Sequence, residues 1–240
     1  MLKLIKYEWL RRWKLFLAGI VTFLAANMSL MSNLMQGAEN PRTLTAVLIG
    51  LCFALSVVLF IDHVGRLYRT LFGDEGYLEL AVPLRGYQLL GGKLLAVIVE
   101  CIAVIGIIIL TIYLDALFIA KAEALPFGFS LSFSEVLTAG QLVLMLLSAY
   151  IGFLTTIYLS MTLAKTVFAS FRHGRLIAFG CFLAISWLLE KTHLALSPFT
   201  ESATDLPDIL YSGTDWVITV AMLLVLFLST SYLLDRKINL

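Results

Sequence analysis

The residue types that most often carry chemistry are placed far apart in this chain. The three histidines, His63, His173 and His193, lie in different segments, and no two of them have the spacing of metal ligands. Asp62 and His63 precede Arg66, which suggests acid–base chemistry, but no nucleophilic Ser in a Gly-flanked turn, no paired acids and no HExxH helix accompany them. The sequence therefore predicts no catalytic site, no metal site and no cofactor bound by this chain.

The composition is that of an integral membrane protein. Hydrophobic residues make up 60% of the 240 positions and charged residues 14%, whereas soluble domains have roughly 25% charged residues. Runs of about 20 apolar residues can cross a hydrocarbon core only as helices. We predict an all-α fold with six spans, at approximately Leu15–Met35, Leu44–Ile61, Leu94–Ala120, Val136–Ala164, Leu176–Leu189 and Trp216–Leu234. The three cysteines all fall inside these spans, so we expect them to pack as small apolar residues and not to form disulfides.

The distribution of basic residues predicts the orientation. All but three of the 17 Lys and Arg residues lie in the N-terminal segment, the second and fourth connections, or the C-terminal segment; the exceptions are Arg42, Lys121 and Lys191. Because cytoplasmic loops carry the excess of positive charge, both termini are predicted to be cytoplasmic.

The N-terminal segment, residues 1–14, is predicted to be an amphipathic interfacial helix. Leu2, Ile5, Trp9 and Trp13 recur at helical spacing, and basic residues occupy the opposite arc. We expect this helix to lie flat on the membrane and then turn into the first span. The alternative is a basic anchor that continues directly into the first span.

The connection between the second and third spans, residues 65–93, is the longest cytoplasmic loop. Arg66–Phe72 can form a short helix that ends at Gly73, and the Gly91-Gly92 pair is expected to loosen the start of the third span. An acidic and aromatic segment lies between them and suits insertion into a groove of a soluble partner protein: Asp74, Glu75, Gly76 and Tyr77.

This loop resembles that of the permease subunits of ABC-2 type transporters. The matching residues are Glu75, Gly76-Tyr77-Leu78, Val82-Pro83, Arg85 and Gly92-Lys93. The layout is also similar over essentially the whole chain, with a basic amphipathic N-terminus, six spans, both ends inside and an outer loop, residues 194–215, before the last span.

The resemblance implies a permease domain over residues 15–240 that pairs with a second copy or a sister permease and with two ABC ATP-binding subunits. Asp74, Glu75, Gly76 and Tyr77 would contact the ATPase, while Arg85 and Lys93 would orient the loop. The chain has no GxxxxGK[ST] sequence, so ATP and Mg²⁺ would be bound by the partner, and this chain would not be an enzyme by itself. By resemblance, the outer loop holds short helices that partly re-enter the membrane.

Two features inside the spans are candidates for packing or function. The fourth span carries a small residue at every fourth position, in the series Ser148, Gly152, Thr156, Ser160 and Ala164, which we call the small-residue stripe. It predicts either close helix packing within the chain or a dimer seam or path wall. Glu100 is a charged residue inside the third span and therefore a candidate functional residue. A structural role is favoured, in which Glu100 contacts headgroup water or a basic residue such as Lys165. Asp115 lies near the outer end of the same span.

These observations favour an exporter subunit for a hydrophobic or amphipathic cargo, such as a peptide, an antibiotic or a lipid-like compound, in the plasma membrane of a bacterium. Two other classes stay open. One is a membrane scaffold or sensor that transports nothing. The other is an intramembrane enzyme, which would need a polar catalytic pair at matching depth on different helices.

Overall fold

The computed structural model describes residues 2–35, 41–73, 85–122, 133–167, 174–196 and 213–236. Every element in these ranges is an α-helix: α1 Leu2–Met35, α2 Pro41–Phe72, α3 Gly86–Ala122, α4 Phe133–Thr166, α5 Gly174–Leu196 and α6 Gly213–Arg236. All six are long and apolar enough to cross a membrane. The described residues are therefore all-α, as predicted, and each predicted span corresponds to a helix that is long and apolar enough to cross a membrane. The fold is compatible with a multi-pass membrane protein. The cytoplasmic location of the termini stays a prediction.

Several helices are longer than the predicted spans. Helix α3 has 37 residues, which at 1.5 Å per residue is about 55 Å, whereas a hydrocarbon core is about 30 Å thick. The prediction that Gly91 and Gly92 loosen the entry to this helix is wrong, because α3 continues through both. Each glycine costs about 1 kcal/mol relative to alanine in a helix, and the buried side chains of Leu89, Leu90 and Leu94 offset that cost by packing.

Helix α1 also differs from its prediction. It runs from Leu2 to Met35 without an end between residues 14 and 15, so the predicted turn into the membrane is not a helix boundary. This continuous helix agrees with the alternative of a basic anchor that leads directly into the first span. An interfacial position for residues 1–14 stays a prediction.

The chain divides into two compact units, and the first comprises residues Met1–His63 and Leu95–Ser130. An apolar cavity of about 100 Å³ lies in this unit, between side chains of α1, α2 and α3 that include Phe16, Leu55 and Val104. On α1 the large apolar side chains Leu17 and Met28 are exposed. Exposed apolar surface of this kind is the surface that lipid acyl chains or another transmembrane helix would cover.

The second unit comprises residues Val64–Leu94 and Leu131–Leu240, and α4 is its central helix. Helix α4 packs against both α5 and α6. The rings of Phe153 on α4 and Phe182 on α5 meet edge to face, with centroids 5.6 Å apart. Tyr158 of α4 is fully buried, and Leu226 of α6 is nearly so. The C-terminal end of α2 and the N-terminal end of α3 belong to the same unit.

The topology can be tested with introduced cysteines. We expect Ser202→Cys, in the outer loop, to react with a membrane-impermeant maleimide in intact cells, and Ser170→Cys, between α4 and α5, to react only after the membrane is opened. The unaltered chain is the control, because its three cysteines lie within the apolar helices. The reverse labelling pattern would contradict the predicted orientation.

The packing of α4 on α6 can be tested at Gly152. A Cβ atom at this position would lie 3.4 Å from Leu223 Cδ2, so Gly152→Leu must overpack the contact. We expect a loss of about 1–3 kcal/mol in the free energy of unfolding, seen as a lower midpoint of thermal unfolding in detergent. Gly140→Leu is the matched control, because no atom lies within 4 Å of a Cβ at that position on the same helix. Equal midpoints for the two variants would argue against the packing described.

Candidate functional site

The strongest candidate from the sequence is the cytoplasmic loop, and the structure describes its two flanks. Asp74, Glu75, Gly76 and Tyr77 lie outside the described residues. The entry flank is the C-terminal end of α2, at Phe72 and Gly73. The exit flank is the N-terminal end of α3, at Arg85 and Gly86. Both flanks belong to the second unit.

The entry flank ends where the sequence predicts. The Gly73 N–H donates to the Arg69 carbonyl oxygen at 2.9 Å, which closes the last turn of α2. A Cβ at residue 73 would lie 2.6 Å from that same oxygen, so only glycine fits without a backbone shift. Leu67 and Leu71, which lie one helical turn apart on the same face, are both buried. The predicted short helix, however, is the last part of α2 and not a separate element.

Aromatic contacts hold the end of α2. The rings of Tyr68 and Phe72 stack with centroids 5.2 Å apart, and the Lys165 ammonium of α4 lies 5.6 Å from the Phe72 ring centroid. Such a cation–π contact is worth roughly 0.5–1 kcal/mol at an exposed site. A Cβ at Gly174, the first residue of α5, would lie 3.6 Å from Phe72 Cε1. The entry flank therefore contacts the last turn of α4 and the first residue of α5.

Hydrogen bonds fix the exit flank. The Arg85 carbonyl oxygen accepts from the backbone N–H groups of Gln88 at 2.8 Å and Leu89 at 3.2 Å, which places Arg85 at the N-cap of α3. The Arg85 N–H donates to Gln88 Oε1 at 3.2 Å, in the manner of a capping box. The Gly86 N–H donates to the Asp235 carboxylate of α6. The start of α3 is thus bound to the last turn of α6.

The two basic residues assigned to orient the loop have different surroundings. The side chain of Arg85 is exposed at the helix N-terminus, whereas Lys93 is only 1% exposed and lies within α3. Lys93 is therefore the eighth residue of α3 and a buried part of the helix, whereas the loop was predicted to extend to residue 93. A buried lysine side chain contributes its apolar stem to packing and requires a partner for its charge.

Glu100 contacts a different partner from the one expected. Its Oε2 lies 3.0 Å from His63 Nε2 of α2, with both side chains buried, and both residues belong to the first unit. The imidazole donates and the carboxylate accepts. The expected contact with headgroup water is wrong, because the glutamate is 4% exposed. Depth along the spans could have indicated this pair, since His63 follows the second span and Glu100 lies shortly after the start of the third, which runs in the opposite direction.

A second polar contact lies near the outer end of the first unit. The Asn27 Nδ2 of α1 donates to both carboxylate oxygens of Asp115 in α3, at 3.0 Å each. Asn27 is buried, and the sequence analysis did not identify it. It could have been suspected because it is a polar residue within an apolar span, at a depth similar to that of Asp115 on another span. The contact joins α1 to α3.

The small-residue stripe of α4 lies partly inside the chain. Thr156, Ser160 and Ala164 are buried, and Gly152 contacts α6. The hydroxyls of Ser148, Thr156 and Ser160 donate to carbonyl oxygens of α4 itself, at 2.7–2.8 Å. These contacts favour packing within the chain for the cytoplasmic half of the stripe. A role of the stripe as a dimer seam or path wall is not tested by them.

The described part of the chain offers anchored helix ends and paired polar groups. No group of three or more His, Cys, Asp or Glu residues in the described ranges could hold a metal ion. The end of α2 and the start of α3, which flank the predicted cytoplasmic loop, belong to the same packed unit. The chain matches no protein-family model, no curated protein and no solved structure.

The His63–Glu100 contact predicts a measurable coupling. Glu100→Ala and His63→Ala should each lower the free energy of unfolding by about 1–3 kcal/mol. Each variant removes one side chain of the contact and leaves the other buried without this hydrogen bond. The double variant should lose less than the two single losses combined, by about 0.5–3 kcal/mol. Thermal unfolding in detergent measures all three, and Glu190→Ala, at an exposed carboxylate on α5, is the control. Strictly additive losses would show that the contact does not form.

Proposed function

We propose that this chain is the membrane permease subunit of an ABC exporter of the ABC-2 type, in a bacterial plasma membrane. It would pair with a second copy or a sister permease and with two ATP-binding subunits. The observation that carries the proposal is the anchoring of the cytoplasmic loop. Its acidic and aromatic segment resembles the ATPase-contacting loop of that family. Both of its flanks belong to the second unit, where Phe72 contacts α4 and α5 and Gly86 contacts α6.

A loop anchored at both ends can transmit movement. When ATP binding closes the partner subunits, Asp74, Glu75, Gly76 and Tyr77 would move with them, and the displacement would reach Phe72 and Gly86 through a short length of chain. Phe72 contacts α4 and α5, and Gly86 contacts α6. Arg85 would keep its backbone in the N-cap of α3, and Lys93 would hold that helix in the packed unit. Rocking of these helices would expose the transport path alternately to the two sides.

The proposed substrate class rests on the apolar character of the helices. The faces of α1, α3 and α5 are apolar and largely exposed, and the charged residues in the described apolar windows are few. This surface suits a hydrophobic or amphipathic cargo such as a peptide, an antibiotic or a lipid-like compound. ATP and Mg²⁺ would be bound by the partner, and this chain would contribute no catalytic residue.

The proposal is tested by mild-detergent purification of the chain from its native membrane, followed by mass spectrometry of the proteins that accompany it. We expect a stoichiometric soluble protein that carries a Walker A sequence. Replacing Glu75, Gly76 and Tyr77 together with alanine should reduce its recovery at least thirtyfold, because interface anchors are typically worth about 2 kcal/mol or more. In vesicles, the ATPase rate measured with the variant should fall to the rate of the ATP-binding subunit alone.

The matched control replaces three residues of the outer loop, Glu201, Thr204 and Asp205, with alanine. This variant should retain the partner, because it removes two carboxylates from the opposite side of the predicted membrane. If the loop variant also retained the partner and the ATPase rate, the coupling role of the loop would be wrong. If no nucleotide-binding protein accompanied the unaltered chain, the exporter proposal itself would be wrong, and a role as a scaffold, sensor or enzyme would be favoured instead.

A further inference from the structure

The N-terminus of α3 is capped by a residue from another helix. The first N–H groups of a helix have no acceptor within it, and the N-cap side chain usually supplies one. Here the N-cap residue is Arg85, whose guanidinium has no acceptor atom. The Asp235 carboxylate, 149 residues further along the chain, accepts from the Gly86 N–H instead. A carboxylate at this position also interacts favourably with the positive end of the helix dipole.

Close packing at Gly86 is independent support for this contact. A Cβ atom at that position would lie 2.7 Å from the Ser231 carbonyl oxygen, 2.9 Å from Leu234 Cβ and 3.0 Å from Asp235 Oδ1. Backbone and Cβ atoms of a packed helix cannot move away at low cost, so the approach of α3 to α6 requires glycine. Ser231 and Leu234 are buried beneath it.

The contact joins the exit flank of the cytoplasmic loop to the end of α6. Gly86 is the first residue of α3, and Asp235 belongs to the last turn of α6, which ends at Arg236. Helix α6 packs in turn on α4, where Leu223 faces Gly152. A displacement of Gly86 would therefore act directly on α6.

We propose that Asp235 is a positioning residue that binds the exit of the cytoplasmic loop to α6, so that movement of the loop is passed to α6 and from it to α4. The transmission of ATPase movement rests on the proposed function, whereas the binding of α3 to α6 does not. The role requires a hydrogen-bond acceptor at residue 235 and not a negative charge as such. Asparagine keeps a carbonyl oxygen at the position of Oδ1, and alanine has no acceptor.

The experiment compares Asp235→Ala, Asp235→Asn and Glu190→Ala in the purified full-length complex. Hydrogen–deuterium exchange, read by mass spectrometry in peptides that cover residues 85–90, reports the cap directly. We expect exchange there to be about tenfold faster in Asp235→Ala than in the unaltered chain, and little changed in Asp235→Asn. Glu190→Ala removes an exposed carboxylate from α5 and should leave these peptides unchanged.

The second readout is the ATPase rate of the complex in vesicles, normalised to the amount of partner recovered. We expect Asp235→Ala to retain the partner but to lose several-fold of the permease-dependent ATPase rate, and Asp235→Asn to retain most of that rate. Unchanged exchange in Asp235→Ala would overturn the cap, and faster exchange with an unchanged ATPase rate would overturn the transmission through α6. An Asp235→Asn variant as impaired as Asp235→Ala would show that the charge is required and would also overturn the assignment. Absence of any ATPase partner from the unaltered chain would refute the proposed function alone, because the exchange result would still decide whether the cap exists.

Discussion

The structure depends on how polar groups are satisfied among apolar helices. Lipid offers no hydrogen bonds, so each backbone group must find its partner within the protein, which is why long helices dominate the described fold. The hydroxyl side chains follow the same constraint. Thr111, Thr155, Thr162 and Thr230 each donate to a carbonyl oxygen of their own helix, four residues earlier. These four hydrogen bonds lie within single helices and do not link one helix to another.

Three hydrogen-bonded contacts seen between the described helices are informative because a hydrogen bond requires a particular pair of groups. In the first unit, Asn27 joins α1 to α3, and His63 joins α2 to α3. In the second unit, the Gly86–Asp235 contact joins α3 to α6. Apolar side chains of similar size can exchange places at low cost, whereas a buried polar group left without its partner costs about 1–3 kcal/mol. These three hydrogen bonds consequently help to specify which helix faces meet, and each of the three involves α3.

The sequence was sufficient for the number of helices and insufficient for their ends and contacts. Hydropathy detects the part of a helix that lies in hydrocarbon, so it located the third span but began it at Leu94, whereas the helix begins at Gly86. Gly73 was correctly identified as a helix end, because the signal for a helix C-terminus is local, although the helix that ends there is α2 and not a separate short one. The partner of Glu100 was missed, because Lys165 was favoured for its charge although His63 matched its depth. Asp235 could have been suspected only from the N-cap position of Arg85, which calls for an acceptor from elsewhere.

The two flanks of the cytoplasmic loop are held by interactions of different kinds, and this difference bears on how a displacement would pass through them. At the entry, stacked rings and a cation–π contact hold Phe72, and such contacts keep much of their energy when the groups slide past one another. At the exit, a hydrogen bond and a backbone approach that admits no Cβ hold Gly86, and both weaken steeply with small changes in distance or angle. If the loop transmits movement as proposed, sliding of the rings at α2 would absorb part of a force on the loop, whereas the contact of Gly86 with α6 would pass its share directly to that helix. The contacts between helices at the exit would then be the less tolerant of displacement, and α6 is the helix that they would move.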